Sequence, residues 1–108
     1  MCKRIKSFYG ENFIESEKLE ELGIKYPMKI EYYKVKEKNE DKRNGKLIYG
    51  VEIIKKEYTG EKINIEVRNS CNIIKEEKNV DYILEILKRN VVTPIGLKDV
   101  ITDLLYNM

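Results

Sequence analysis

Apolar residues recur at every second position between Met28 and Val67, and at every third or fourth position from Val80 onward. That change of period constrains the fold more than any other feature. A strand turns successive side chains to opposite faces, whereas a helix brings every third or fourth one back to the same face. Met28, Ile30 and Tyr32 alternate along one face, and Tyr33 and Val35 follow on the other. The phase slip between Tyr32 and Tyr33 is what a bulge, or a strand buried on both sides, produces. Leu47, Tyr49, Val51 and Ile53 then share a face opposite Ile48 and Ile54. Ile63, Ile65 and Val67 alternate with Asn64, Glu66 and Arg68, the pattern of a half-buried strand.

The intervening segments are turn chemistry. Lys38 to Gly45 is a charged loop ending in Asn44-Gly45, a pair that supplies the two φ > 0 positions if the turn is tight, with a longer loop the equal alternative. Gly50, within a strand pattern, is where a neighbouring strand can approach closely. Lys55 to Gly60 closes the next strand. Strands in succession with short links make an antiparallel meander, and its apolar face needs a cover.

Two amphipathic helices supply that cover. Asn79 is positioned to cap the first, Asp81 sits in its first turn, and Lys88 and Arg89 in its last, as the helix dipole prefers. Val80, Ile83, Leu84 and Leu87 form its stripe. Thr93-Pro94 reads as cap and first turn of the second, with Ile95, Leu97, Val100, Ile101, Leu104 and Leu105 opposite Lys98, Asp99, Thr102 and Asp103. Gly96 weakens that start and moves the expected first turn later. Residues 1–27 are read as an N-terminal extension, with a short helix from Glu17 to Leu22 capped by Ser16 and stopped at Gly23. The expectation is therefore one α+β domain over 28–108. It is a three- or four-stranded antiparallel meander with two C-terminal helices on one face, plus the short N-terminal helix.

The Tyr49-Gly50-Val51-Glu52-Ile53 strand, the Leu84…Leu87 helix and the run from Val92 through Thr93-Pro94-Ile95-Gly96-Leu97-Lys98-Asp99-Val100 to Leu105 resemble a family of small clostridial-type proteins. That family is known only as a domain of unknown function. The resemblance covers about residues 28–106, and its specific part is the Thr-Pro-x-x-Leu-Lys-Asp-Val run. Relatives tend to carry an acidic residue before the final Asp, where this chain has Thr102. The family has no assigned catalytic residues, so the resemblance implies no activity.

Composition narrows function mainly by exclusion. There is no histidine, hence no Ser/His or Cys/His nucleophilic site and no ordinary neutral-pH general base. Cys2 and Cys71 match no redox or metal spacing and read as incidental thiols. The glycines are solitary and form no phosphate loop. Basic and acidic residues, 21 against 19, are interspersed and leave a net charge of +2, a poor footprint for nucleic acid or an anionic membrane. Seventeen lysines against four arginines, fifteen isoleucines and no alanine suggest an AT-rich genome as one source of the lysine excess. The basic N-terminus lacks the apolar run of a signal peptide, and no stretch approaches a membrane-spanning helix, so a reduced cytoplasmic setting is expected.

Two surfaces remain as candidates for contact. Tyr33, Val35, Ile48 and Ile54 fall on the sheet face opposite the helices, which implies a protein partner or a second copy in a homodimer. Asp99 and Asp103, at i and i+4 on the last helix, suit a partner's basic residues better than a metal, since two carboxylates alone make a poor site. No catalytic residue, cofactor or metal is assigned, and an enzyme is the least favoured class. The alternative is a nucleic-acid-associated regulator. It would stack bases on Tyr32, Tyr33, Tyr49 and Tyr58 beside Lys34, Lys36, Lys46, Lys55 and Lys56, although glutamates interrupt that positive field.

Overall fold

The computed structural model describes residues 3–14, 26–38 and 47–106. Strands β1 (Lys3–Ile14), β2 (Met28–Lys38), β3 (Leu47–Tyr58) and β4 (Ile63–Ile74) form one antiparallel sheet in the order β1-β2-β3-β4. Helix α1 (Glu77–Arg89), a single 3₁₀ turn (Pro94–Gly96) and helix α2 (Leu97–Tyr106) follow. The expected α+β meander with two C-terminal helices is the observed architecture. The expected helix from Glu17 to Leu22 and the Asn44-Gly45 turn lie outside the described residues. Residues 3–14, read as part of an extension, are an edge strand of the same sheet, paired with β2 from Lys3 to Phe8 and from Gly10 to Ile14.

β1 does not alternate cleanly because it carries a bulge. Phe8 faces Tyr33 and Gly10 faces Tyr32, which leaves Tyr9 without a cross-strand partner and resets the phase of everything after it. The irregularity inferred from the Tyr32–Tyr33 phase slip therefore sits in the neighbouring strand, opposite those two residues. β2 itself is regular and buries residues on both sides. A second irregularity lies in β4, where Ser70 faces Val51 but Ile74 faces Tyr49.

The β3–β4 hairpin has the two-residue loop Gly60-Glu61, closed by the Thr59 N–H donating to the Lys62 carbonyl at 3.1 Å. Gly60 adopts φ 91, so it takes the first central position of a type II′ turn, the position that favours glycine.

One face of the sheet is filled by the helices. Ile30, Tyr32, Val51 and Ile53 meet Val80, Ile83, Leu84 and Leu87 of α1 and Leu97 and Ile101 of α2. Each fully buried aliphatic side chain contributes about 1.5–3 kcal/mol. α1 starts at Glu77, two residues before Asn79, which lies inside the first turn with its N–H on the Glu76 carbonyl at 3.1 Å. The strand ends at Ile74, so the chain must enter the helix at once, and Glu77 supplies the negative charge that the N-terminus favours. Thr93 and Pro94 open the 3₁₀ turn, and α2 begins after Gly96, the later start that this glycine implies. Of its expected stripe, Leu97 and Ile101 are buried and Val100 and Leu104 pack at the margin; Ile95 and Leu105 are exposed.

Polar side chains also tie the layers together. The Tyr9 hydroxyl donates to Glu85 of α1 at 2.6 Å. Asn12 donates to the Lys88 carbonyl at 2.7 Å and to the Tyr32 hydroxyl at 3.3 Å, and that hydroxyl donates to the Val92 carbonyl at 3.0 Å. Burial raises the Tyr32 hydroxyl pKa above the ordinary tyrosine value. At Gly10 a Cβ would come within 3.0 Å of the Lys88 methylenes, so glycine lets the Lys88 stem lie against β1.

Candidate interaction surface

Residues directly opposite in an antiparallel pair share a face, so the register assigns the uncovered side row by row. One row runs Phe8, Tyr33, Glu52, Asn69; the next runs Glu11, Glu31, Ile54, Val67; the third runs Phe13, Lys29, Lys56, Ile65. Phe8 meets Tyr33 edge-on with ring centroids 5.6 Å apart, and Phe13 lies 6.5 Å from Tyr58. Among the described residues no helix lies on this side, and the thinnest axis is 18 Å, the depth of one sheet and one helical layer.

The charges on this face neutralise one another. Lys6 reaches Glu52 at 2.8 Å and lies 4.7 Å from the Tyr33 ring centre. Lys29 stands between Glu11 at 3.1 Å and Glu31 at 3.7 Å, and Lys56 reaches Glu31 from the other side at 3.2 Å. The carboxylate oxygens of Glu31 and Glu52 that water does not reach are the ones that meet these ammonium groups. The hydrogen bond to Glu52 holds the Lys6 ammonium above the usual lysine value, and that to Glu11 does the same for Lys29. Three lysines and three glutamates thus form a flat, internally paired band through the middle of the face.

The band is flanked by apolar side chains in the open. Phe8 and Phe13 on β1 are each 56 % exposed, and Ile65 on β4 is 62 % exposed with Ile63 and Val67 beside it. None of these five was a candidate from sequence. Ile63, Ile65 and Val67 were read as the buried side of a half-buried strand, and here they face away from the helices. The turn length decides this. With a two-residue loop Tyr58 pairs with Ile63, which puts the odd residues of β4 on the same side as Tyr58 and Ile54.

The sequence-derived candidates divide into three groups. Tyr33, Ile48 and Ile54 lie on the uncovered face, each half-buried. Val35 points to the same side but is only 1 % exposed, opposite Lys6 and Gly50, so it offers a partner no surface of its own. Asp99 and Asp103 are exposed on α2, on the helical side of the molecule, and the fold does not bring them to the sheet face.

The proposed base-stacking platform is not assembled either. Tyr32 and Tyr49 belong to the helix-covered core, away from Tyr33 and Tyr58. Lys55 pairs with Glu66, Lys56 with Glu31, and Lys34 with Glu77 and Asp81 of α1. Burial pulls the Lys34 ammonium down, but its two carboxylates more than offset this and leave its pKa raised. Lys46 lies outside the described residues. Among the described residues, no three His, Cys, Asp or Glu side chains are grouped to hold a metal ion, and no helix is long and apolar enough to cross a membrane.

A shallow groove of about 400 Å³ lies on the helical side, between Arg68, Asn69 and Ser70 of β4 and Pro94, Ile95, Leu97 and Lys98. Its lining is mixed, with no set of polar groups converging on one point.

Comparison with curated proteins and with solved structures finds no match. A family profile does match, over residues 11–107, and so reaches from the last four residues of β1 through β2, β3 and β4 to the end of α2. On that correspondence, which spans nearly the whole fold, the chain belongs to a family of unknown function (DUF6514).

Proposed function

We propose that this protein is a non-enzymatic binding or regulatory module of the cytoplasm, acting through protein–protein contacts made by the uncovered face of its sheet. The observation that carries this reading is the exposure of Phe8 and Phe13 along one margin of a face, and of Ile63, Ile65 and Val67 along the other, with the charges between them already paired. Apolar side chains grouped this way on a small chain mark an interaction surface more often than scattered exposed ones do. A charge band that is already paired needs no counter-ions from the partner, and because covering it with an apolar surface would cost desolvation, the contacts fall on the apolar margins. The absence of histidine supports the non-enzymatic part.

The test is photo-crosslinking in native cells with benzoylphenylalanine placed at Phe13 on the face or at Tyr82 on the outer side of α1. Protein adducts concentrated at position 13 are expected. Adducts that are absent there, or equally abundant at position 82, would remove the sheet face as the working surface.

A further inference from the structure

We propose that β4 is a self-pairing strand, and that two copies join antiparallel at their free β4 edges about a two-fold axis at Val67, forming one continuous eight-stranded sheet. This rests on the sheet-borne contact reading above and names its partner as a second copy of this chain.

Backbone geometry comes first. The Tyr58 N–H bonds the Pro27 carbonyl and the Thr59 N–H bonds the Lys62 carbonyl, so in β3 even residues bond toward β2 and odd residues toward β4. Alternation along the ladder then leaves the N–H and C=O of Ile63, Ile65, Val67 and Asn69 pointing to the outer edge, which no described strand pairs. Arg68 confirms that direction independently, because its Nη1 donates at 3.0 Å to the Val67 carbonyl. The β1 edge is interrupted by its bulge at Tyr9, whereas β4 is regular from Ile63 to Ser70. An open, regular, β-branched edge is a template for another strand.

Charge selects the occupant and the register. Centring the two-fold on Ile65 sets Lys62 opposite Arg68 twice, and centring it on Glu66 sets that carboxylate opposite itself. Centring it on Val67 sets Glu66 opposite the Arg68 of the other copy twice, with Val67 against Val67 on the apolar face. In the free chain Arg68 occupies the central acceptor; pairing replaces it there with a backbone N–H and frees the guanidinium for the opposing carboxylate. The 3₁₀ turn and the start of α2 share a groove with Arg68, Asn69 and Ser70, and the two-fold sets this stretch of β4 against the Asn64 stretch of the other copy.

The experiment is sedimentation of the full chain across micromolar to millimolar concentration, with charge reversals. The wild type is expected to dimerise. Glu66→Arg and Arg68→Glu are each expected to weaken the dimer by about tenfold or more. Mixing the two variants, or combining both changes in one chain, is expected to restore it. Val67→Pro removes only an outward N–H, so it is expected to fold, by circular dichroism, yet remain monomeric. A monomeric wild type overturns the proposal, as does a dimer indifferent to the reversals and to Val67→Pro. In the latter case crosslinks at position 13 would still uphold the face reading. A monomer that loses a captured partner on Val67→Pro would assign the edge to a foreign strand instead.

Discussion

Val91 holds φ 53, a left-handed conformation that glycine adopts freely and a β-branched residue does not. It is there because α1 ends in a Schellman arrangement. The Val92 N–H bonds the Leu87 carbonyl at 2.9 Å, and the Val91 N–H bonds the Lys88 carbonyl at 3.2 Å. Residues other than glycine in this region lose about 1–2 kcal/mol, partly offset by glycine's greater freedom when unfolded. Val91→Gly is therefore expected to stabilise the fold by about 1 kcal/mol, read as a higher urea midpoint at unchanged slope. A lower midpoint would mean that the half-exposed valine makes contacts worth more than the strain. The sequence could not locate this position, because the residue that tolerates left-handed backbone, Asn90, stands one place too early and acts as the C-cap. What residue-level reading did locate was the stripe Val80, Ile83, Leu84, Leu87, whose spacing alone determines burial.

Among the elements, β1 shows where legibility ends. Its apolar residues follow no single period, because the bulge at Tyr9 moves Phe8 and Ile14 to opposite faces. Alternation is a signal only while the ladder is regular, and this strand breaks that condition in its middle. β4 was legible as a strand but not in its facing, since the side that it turns to the helices depends on the length of the Gly60-Glu61 loop. β1 is held to α1 by Tyr9 and Glu85, and that tie carries a pH signature. The hydrogen bond from Tyr9 holds the Glu85 carboxyl below its ordinary value, and the same bond raises the Tyr9 hydroxyl above its own. A depressed carboxyl stabilises the fold above its unfolded value, near 4.5, and that contribution is lost as the pH falls through the lower folded value. A raised hydroxyl gives the complementary limit: its contribution is full below the unfolded value, near 10.0, and is lost as the pH rises through the folded one. The melting temperature of the wild type should thus exceed that of Tyr9→Phe across neutral pH, and the two should converge in acid. A gap that persists unchanged into strong acid would assign it to packing of the ring rather than to the hydrogen bond.

For the whole molecule, the deciding quantity is how much of its surface the fold leaves exposed. A chain of 108 residues buries roughly two-thirds of the surface its unfolded form exposes, and here the described residues cover a single side of the sheet. The meander and its helical cover were legible from the two periods, because a sheet face with alternating apolar residues must bury them somewhere. That the other face is also apolar at its margins was hidden, since its residues lie on the two outer strands and come together only once the turns set the register. If pairing at β4 completes the molecule, unfolding is coupled to dissociation and stability follows mass action. Each tenfold rise in concentration then adds about 1.4 kcal/mol per dimer, which for chains of this size raises the melting temperature by about 3–5 °C. Wild-type chain scanned over two decades of concentration should show that slope, and Val67→Pro should show none. Equal, flat behaviour in both would mean that the four-stranded sheet is stable with its β4 edge in water, and that the regularity of Ile63–Ser70 serves the single chain alone.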